Sequence, residues 1–219
     1  MSFDALFWAL SALAAAAAIA YGLLFLEAKP SPLRAAVKTA MMTAVALALI
    51  HAHAPPLLIA AAAASAIGDA FLAFEQKWVL PLGIGAFLVA QVCYFFLFHA
   101  NAVASAPLWP RYGLTVAVSV TALSFLIWLA PKLGVLAAGV VPYSLAIAAM
   151  AMQAMWLPWA GWPAMLGVAS FLVSDGVLSA ELFQLPPDAP ARRVTGPVVW
   201  WTYAAAQGLI VWGVLRVVA

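Results

Sequence analysis

Two short phrases set aspartates inside the apolar stretches of this chain. Gly68-Asp69-Ala70-Phe71-Leu72-Ala73-Phe74-Glu75 is echoed in the second half by Ser174-Asp175-Gly176-Val177-Leu178-Ser179-Ala180-Glu181. Both read small-Asp-x-x-Leu-small-x-Glu, and both close a long apolar run. A carboxylate in such a run is costly, about 2.5–3.5 kcal/mol at a bilayer centre on insertion scales, and marks a functional candidate by default. Two nearby carboxyls in a low-dielectric setting hold one proton between them. They then supply one general acid and one general base, the arrangement that hydrolysis needs.

The elements that carry these residues follow from composition. The 219 residues are 68% hydrophobic and 7% charged, with a mean hydropathy of +1.11, which excludes an ordinary soluble domain. A membrane crossing needs about 20 apolar residues. The chain divides into eight such runs, approximately 5–26, 35–53, 56–74, 79–98, 112–130, 133–156, 160–182 and 197–217. The fold class is therefore an all-α polytopic integral membrane protein with eight transmembrane helices, as one domain over residues 1–219. The connections are short and marked by breakers such as Lys29-Pro30-Ser31-Pro32, Ala54-Pro55-Pro56 and Pro186-Pro187-Asp188-Ala189-Pro190. The first run opens with Asp4 where a signal peptide would be basic, and is read as a helix. Cys93, the lone cysteine, is assigned to helix packing.

With the N-terminus outside, Lys29, Arg34, Lys77, Lys132, Arg192 and Arg193 fall in or beside cytoplasmic loops, and only Arg111 and Arg216 fall outside. That bias places both termini outside. Trp8, Trp78, Trp109, Trp128, Trp156, Trp159 and Trp162 fall near predicted boundaries, as an aromatic belt would. The alanine-rich composition and compact loops suggest a bacterial inner membrane. The two aspartate phrases fall on helices three and seven, a parity that suggests a four-plus-four internal repeat.

The polar residues converge in depth. At about 1.5 Å per residue, Asp69 and Asp175 each lie about 9 Å from the cytoplasmic boundary, and Lys38 about 6 Å. Tyr203 is about 9 Å into helix eight, with Gln207 one turn along the same face. Tyr143 and Ser144 lie near the middle of helix six, and Gln91 near that of helix four. Ser174 precedes the second aspartate. The site is thus expected in the cytoplasmic half. A plainer reading has Lys38 neutralising one aspartate and both fixing helix packing, which leaves the second acid unpaired.

Other chemistries fit less well. His51, His53 and His99 sit at the outer ends of helices two and four, far from the aspartates, so a Ser-His-Asp triad is not expected. His51-x-His53 lacks a third ligand, and no metal is expected. No phosphate loop or dinucleotide fingerprint occurs, so no cofactor is expected, and no basic surface suits nucleic acid.

At these residues the chain resembles the YhhN family, whose animal members are the TMEM86-type lysoplasmalogenases. The matching elements are Val37-Lys38-Thr39, Ile67-Gly68-Asp69, Phe171-Leu172-Val173-Ser174-Asp175 and Thr202-Tyr203-Ala204-Ala205-Ala206-Gln207. The resemblance spans most of the chain. It implies hydrolysis of the vinyl ether bond of lysoplasmalogens, a lysophospholipid substrate, to a fatty aldehyde and a glycerophospho-headgroup. Asp69 and Asp175 would then be the acid and base. Lys38 would tune them or contact phosphate, and Tyr203 and Gln207 would position water or substrate. One departure is Gln91, where relatives commonly carry histidine, so proton transfer here would be tuned differently. The alternative is a proton-coupled or lipid transporter using the aspartates as a relay.

Overall fold

The computed structural model describes residues 3–74, 78–103, 108–186 and 189–218. Eight α-helices account for most of them: α1 Ala5–Ala20, α2 Pro32–His51, α3 Pro56–Leu72, α4 Leu80–Ala100, α5 Leu108–Leu129, α6 Ala137–Ala154, α7 Trp162–Phe183 and α8 Arg192–Val218. Seven helical stretches are long and apolar enough to cross a membrane. α3, with 17 residues, is a shorter apolar helix. The chain is a polytopic helical membrane protein. Its contacts fall into two compact units, Met1–Tyr94 and Phe95–Ala219, with the division inside α4.

In the first unit, α1 begins where the Asp4 carboxylate accepts the backbone N–H groups of Leu6 and Phe7, both at 3.1 Å, satisfying two otherwise orphaned donors. The same carboxylate binds His51 Nε2 at 2.9 Å, tying the start of α1 to the end of α2. Asp4 consequently titrates below the usual aspartate range, first because of the Phe7 N–H and then because of His51. This histidine thus serves as a polar tie at a helix end. α1 runs on into a π-helical turn, Tyr21–Phe25. There Arg34 Nε donates to the Phe25 carbonyl at 3.1 Å, and its guanidinium lies 5.8 Å from the Tyr21 ring centre.

α2 starts three residues earlier than the hydropathy run. Ser31 caps it by accepting the Arg34 N–H at 3.2 Å, and Pro32 occupies the first turn, where its missing N–H costs nothing. α2 contacts α1 on one side and α3 on the other. Its buried Met41, Met42, Ala44, Ala48 and Leu49 and the small residues Ala61, Ala62, Ala64 and Ser65 of α3 form this unit's core. Small side chains let helix backbones approach, which is how apolar helices gain packing where lipid removes the usual hydrophobic contrast.

In the second unit, α7 and α8 form the closest pair. A Cβ on Gly167 would stand 2.8 Å from the Ala206 carbonyl oxygen and from the Ile210 nitrogen, and one on Gly213 would stand 2.8 Å from Ala164 Cα. Ser170 Oγ donates to Thr202 O at 2.8 Å and Ser174 Oγ to Val199 O at 2.9 Å across the same seam. α5 is mostly exposed and packs chiefly on α6. Arg111 of α5 is buried, and its Nη1 donates to the carbonyls of Met155 and Leu157, both at 2.9 Å. Arg111 therefore ties the start of α5 to the turn that follows α6.

α5 and α8 also begin earlier than hydropathy suggests. α5 takes Pro110 into its first turn. α8 begins at Arg192 and carries Pro197 within it, which places Arg192 and Arg193 on the helix. Pro142 lies inside α6, one residue before Tyr143.

Candidate functional site

The first unit brings Lys38 and Asp69 together. Lys38 stands in the second turn of α2, half-buried, and Asp69 in α3 is 2% exposed. The Asp69 carboxylate lies within electrostatic range of the Lys38 ammonium. In a helix seam of low dielectric this charge pairing holds Asp69 where an isolated carboxylate would be expensive. α4 closes on α3 beside it. A Cβ on Gly68 would meet the Phe87 ring at 2.6 Å, and one on Gly83 would meet Leu72 Cδ2 at the same distance. As one index rises the other falls, so α3 and α4 run antiparallel. One turn beyond Phe87 stands Gln91, fully buried, and neither its amide nitrogen nor its oxygen has a hydrogen-bond partner among the described residues.

The second unit brings Tyr143 and Asp175 together. The Tyr143 hydroxyl of α6 donates to Asp175 Oδ2 of α7. Ser174, next to Asp175, spends its hydroxyl on the Val199 carbonyl, so its observed contact is a tie between α7 and α8. Tyr203 and Gln207 of α8 are buried one turn apart, with Gln207 1% exposed. The Tyr203 ring stands edge-on to Phe171 at 5.8 Å and tilted against Trp200 at 6.0 Å. Asp69 and Asp175 belong to different units.

The two phrases sit differently on their helices. Asp69 lies in the last turn of α3, which ends at Leu72, whereas α7 continues to Phe183 and takes Asp175 about 12 Å from its end. Glu181 is helical and 8% exposed. It accepts the Thr195 hydroxyl, and Arg192 Nη2 donates to its backbone carbonyl at 2.6 Å. Its counterpart Glu75 lies outside the described residues, as does Lys77. The shared spelling therefore does not translate into a shared position relative to the helix ends.

Sequence reasoning did not anticipate the Glu181–Thr195–Arg192 group or the buried Arg111. An acid ending one helix and an Arg-x-x-Thr opening the next was a readable signal for the former. Nothing in the spacing signalled the carbonyls that Arg111 reaches, because those belong to a bend 44 residues away.

Apolar helices of this length with ionisable residues held inside them define a polytopic membrane protein. A family model described as the YhhN family matches residues 33–214, and the chain belongs to that family. The matched span contains Lys38, Asp69, Gln91, Tyr143, Ser174, Asp175, Tyr203 and Gln207. Two curated relatives, from Mycobacterium bovis and Mycobacterium tuberculosis, carry the name Lysoplasmalogenase. Each is 35% identical to this chain over 161 residues, covering 71% of this chain and 59% of the relative. The chain thus spans about 59% of the length of these relatives. No solved structure matches.

Proposed function

We propose that the protein is a membrane-embedded hydrolase that cleaves the vinyl ether bond of lysoplasmalogens, yielding a fatty aldehyde and a glycerophospho-headgroup. The observation that supports this reading is a pair of intramembrane carboxyls, Asp69 within electrostatic reach of Lys38 and Asp175 hydrogen-bonded by Tyr143. The name borne by the relatives supports the substrate class.

The chemistry needs only such groups. A carboxyl proton adds to the β-carbon of the vinyl ether, and the double-bond electrons form the new C–H bond. The α-carbon is left as an oxocarbenium ion. A carboxylate takes a proton from water as the water oxygen bonds to that carbon. The resulting hemiacetal loses the glycerol oxygen as an alcohol and leaves the aldehyde. Asp69 and Asp175 carry these proton transfers. Lys38 steadies the charge of Asp69 or meets the lipid phosphate, Tyr143 orients Asp175, and Tyr203 and Gln207 face substrate or water. Negative charge near the oxocarbenium ion stabilises it electrostatically.

The protein acts in a bacterial inner membrane with both termini outside and its chemistry in the cytoplasmic half. A periplasmic reporter fused after residue 219 that stayed silent would contradict that orientation. The activity is tested with purified protein in detergent and lysoplasmenyl-ethanolamine, following aldehyde release. Asp69→Asn and Asp175→Asn should each slow it by roughly 10²–10⁴-fold, leaving a residual rate. Release untouched by either substitution removes the proposed roles. Proton-driven uptake into vesicles without aldehyde release would point to a transporter.

A further inference from the structure

Gln91 is the one fully buried side chain among the described residues whose donor and acceptor both lack a partner. Its place is well defined. Phe87, one turn earlier on α4, rests on Gly68, and Gly83, one turn earlier again, rests on Leu72. Carrying the antiparallel register one more turn brings Gln91 to the level of Ala64 and Ser65, one turn from Asp69. Side chains on a helix lean toward its N-terminus. On antiparallel helices that lean is opposite, so along the seam Gln91 leans toward the level of Asp69, and Asp69 toward that of Gln91.

Such an amide is selective in what it can accept. Its N–H and C=O stand side by side and both need partners. A phosphate would use only the N–H and face the oxygen with negative charge; an ammonium would use only the oxygen. A hydroxyl, which donates and accepts at once, satisfies both. Resting on the hydrolase reading above, we propose that Gln91 is the polar end of a subsite in the α3–α4 seam that binds a neutral O–H group beside Asp69. Two sources supply that group in the reaction: the attacking water, and the free C2 hydroxyl of the lysolipid glycerol, two carbons from the vinyl ether oxygen. Gln91 is then a positioning residue that acts through the group it holds.

The test compares the unmodified protein with Gln91→Leu on lysoplasmenyl-ethanolamine and on its 2-O-methyl analogue, together with thermal unfolding of both proteins in detergent. Leucine is of similar volume and leaves no buried amide unpaired, so Gln91→Leu should unfold at a higher temperature while working less well. If the C2 hydroxyl is the ligand, the unmodified protein prefers the free hydroxyl by roughly tenfold or more in kcat/KM, and Gln91→Leu loses that preference. If water is the ligand, kcat falls roughly tenfold or more on both substrates with KM little changed. Kinetics within twofold of the unmodified protein on both substrates would overturn the subsite. So would lost activity accompanied by a lower unfolding temperature, which marks a packing role. Should the unmodified protein release no aldehyde, the hydrolase reading itself fails. The subsite is then read from binding: lysophosphatidylethanolamine, which keeps the C2 hydroxyl, should raise the unfolding temperature of the unmodified protein and not that of Gln91→Leu. An equal rise in both refutes the subsite.

Discussion

Replacing Tyr143 by phenylalanine removes one hydroxyl and leaves the ring that packs α6 against α7. The hydroxyl donates to Asp175, the only hydrogen bond found for that carboxyl among the described residues. Hydrogen bonds to charged groups contribute about 1.5–3 kcal/mol. If the bond is made most strongly while Asp175 carries charge during turnover, its loss slows aldehyde release by roughly tenfold to 150-fold, at about 1.4 kcal/mol per factor of ten. The loss should appear in kcat, because the hydroxyl acts on Asp175 and not on ground-state binding. The assay is aldehyde release in detergent, run with Tyr143→Phe, Asp175→Asn and the double variant, alongside their unfolding midpoints. Since the hydroxyl works through Asp175, the second substitution should add little once the first is present. A Tyr143→Phe protein with kcat within twofold of the unmodified one refutes the reasoning. Equal losses in the presence and absence of the Asp175 carboxyl refute it equally.

Other perturbations test the frame that holds these groups. Gly213→Ala forces a methyl against the backbone of α7 at Ala164 and should cost about 1–3 kcal/mol, as overpacking does, seen as a lower unfolding midpoint in detergent. Arg111→Met withdraws the donor from the carbonyls of Met155 and Leu157 and should cost about 1–3 kcal/mol for each carbonyl left buried and unsatisfied, on the same readout. Asp4 titrates below the usual aspartate range, so its contribution is complete above the unfolded value and is lost as pH falls through the lower folded value. Acidification through that window should lower the amide protection factors of Leu6 and Phe7, taken relative to intrinsic exchange at each pH, and Asp4→Asn should remove that change.

The existence and order of the helices were legible from apolar run length and from proline-marked breaks, because a bilayer fixes how long a crossing must be. The starts of α2 and α5 were less so. A proline in a first turn reads as a breaker, yet it costs a helix nothing where the N–H would be unpaired anyway. The polar residues inside the helices were also visible, since Lys38, Asp69, Gln91 and Asp175 stand out against an apolar background.

What those residues touch was decided only by tertiary structure. Helices that are apolar all round carry no polar stripe to announce the buried face. That face is set by where small residues such as Gly68, Gly167 and Gly213 let a neighbouring backbone or ring approach, and contact of this kind depends on two helices at once. Hence two phrases spelled alike, around Asp69 and around Asp175, acquired different surroundings: a lysine for one carboxyl and a tyrosine hydroxyl for the other. Ser174, which the sequence places among the candidates for chemistry, turned out to tie α7 to α8. Gln91 came to lie fully buried in the α3–α4 seam, its amide without a hydrogen-bond partner among the described residues.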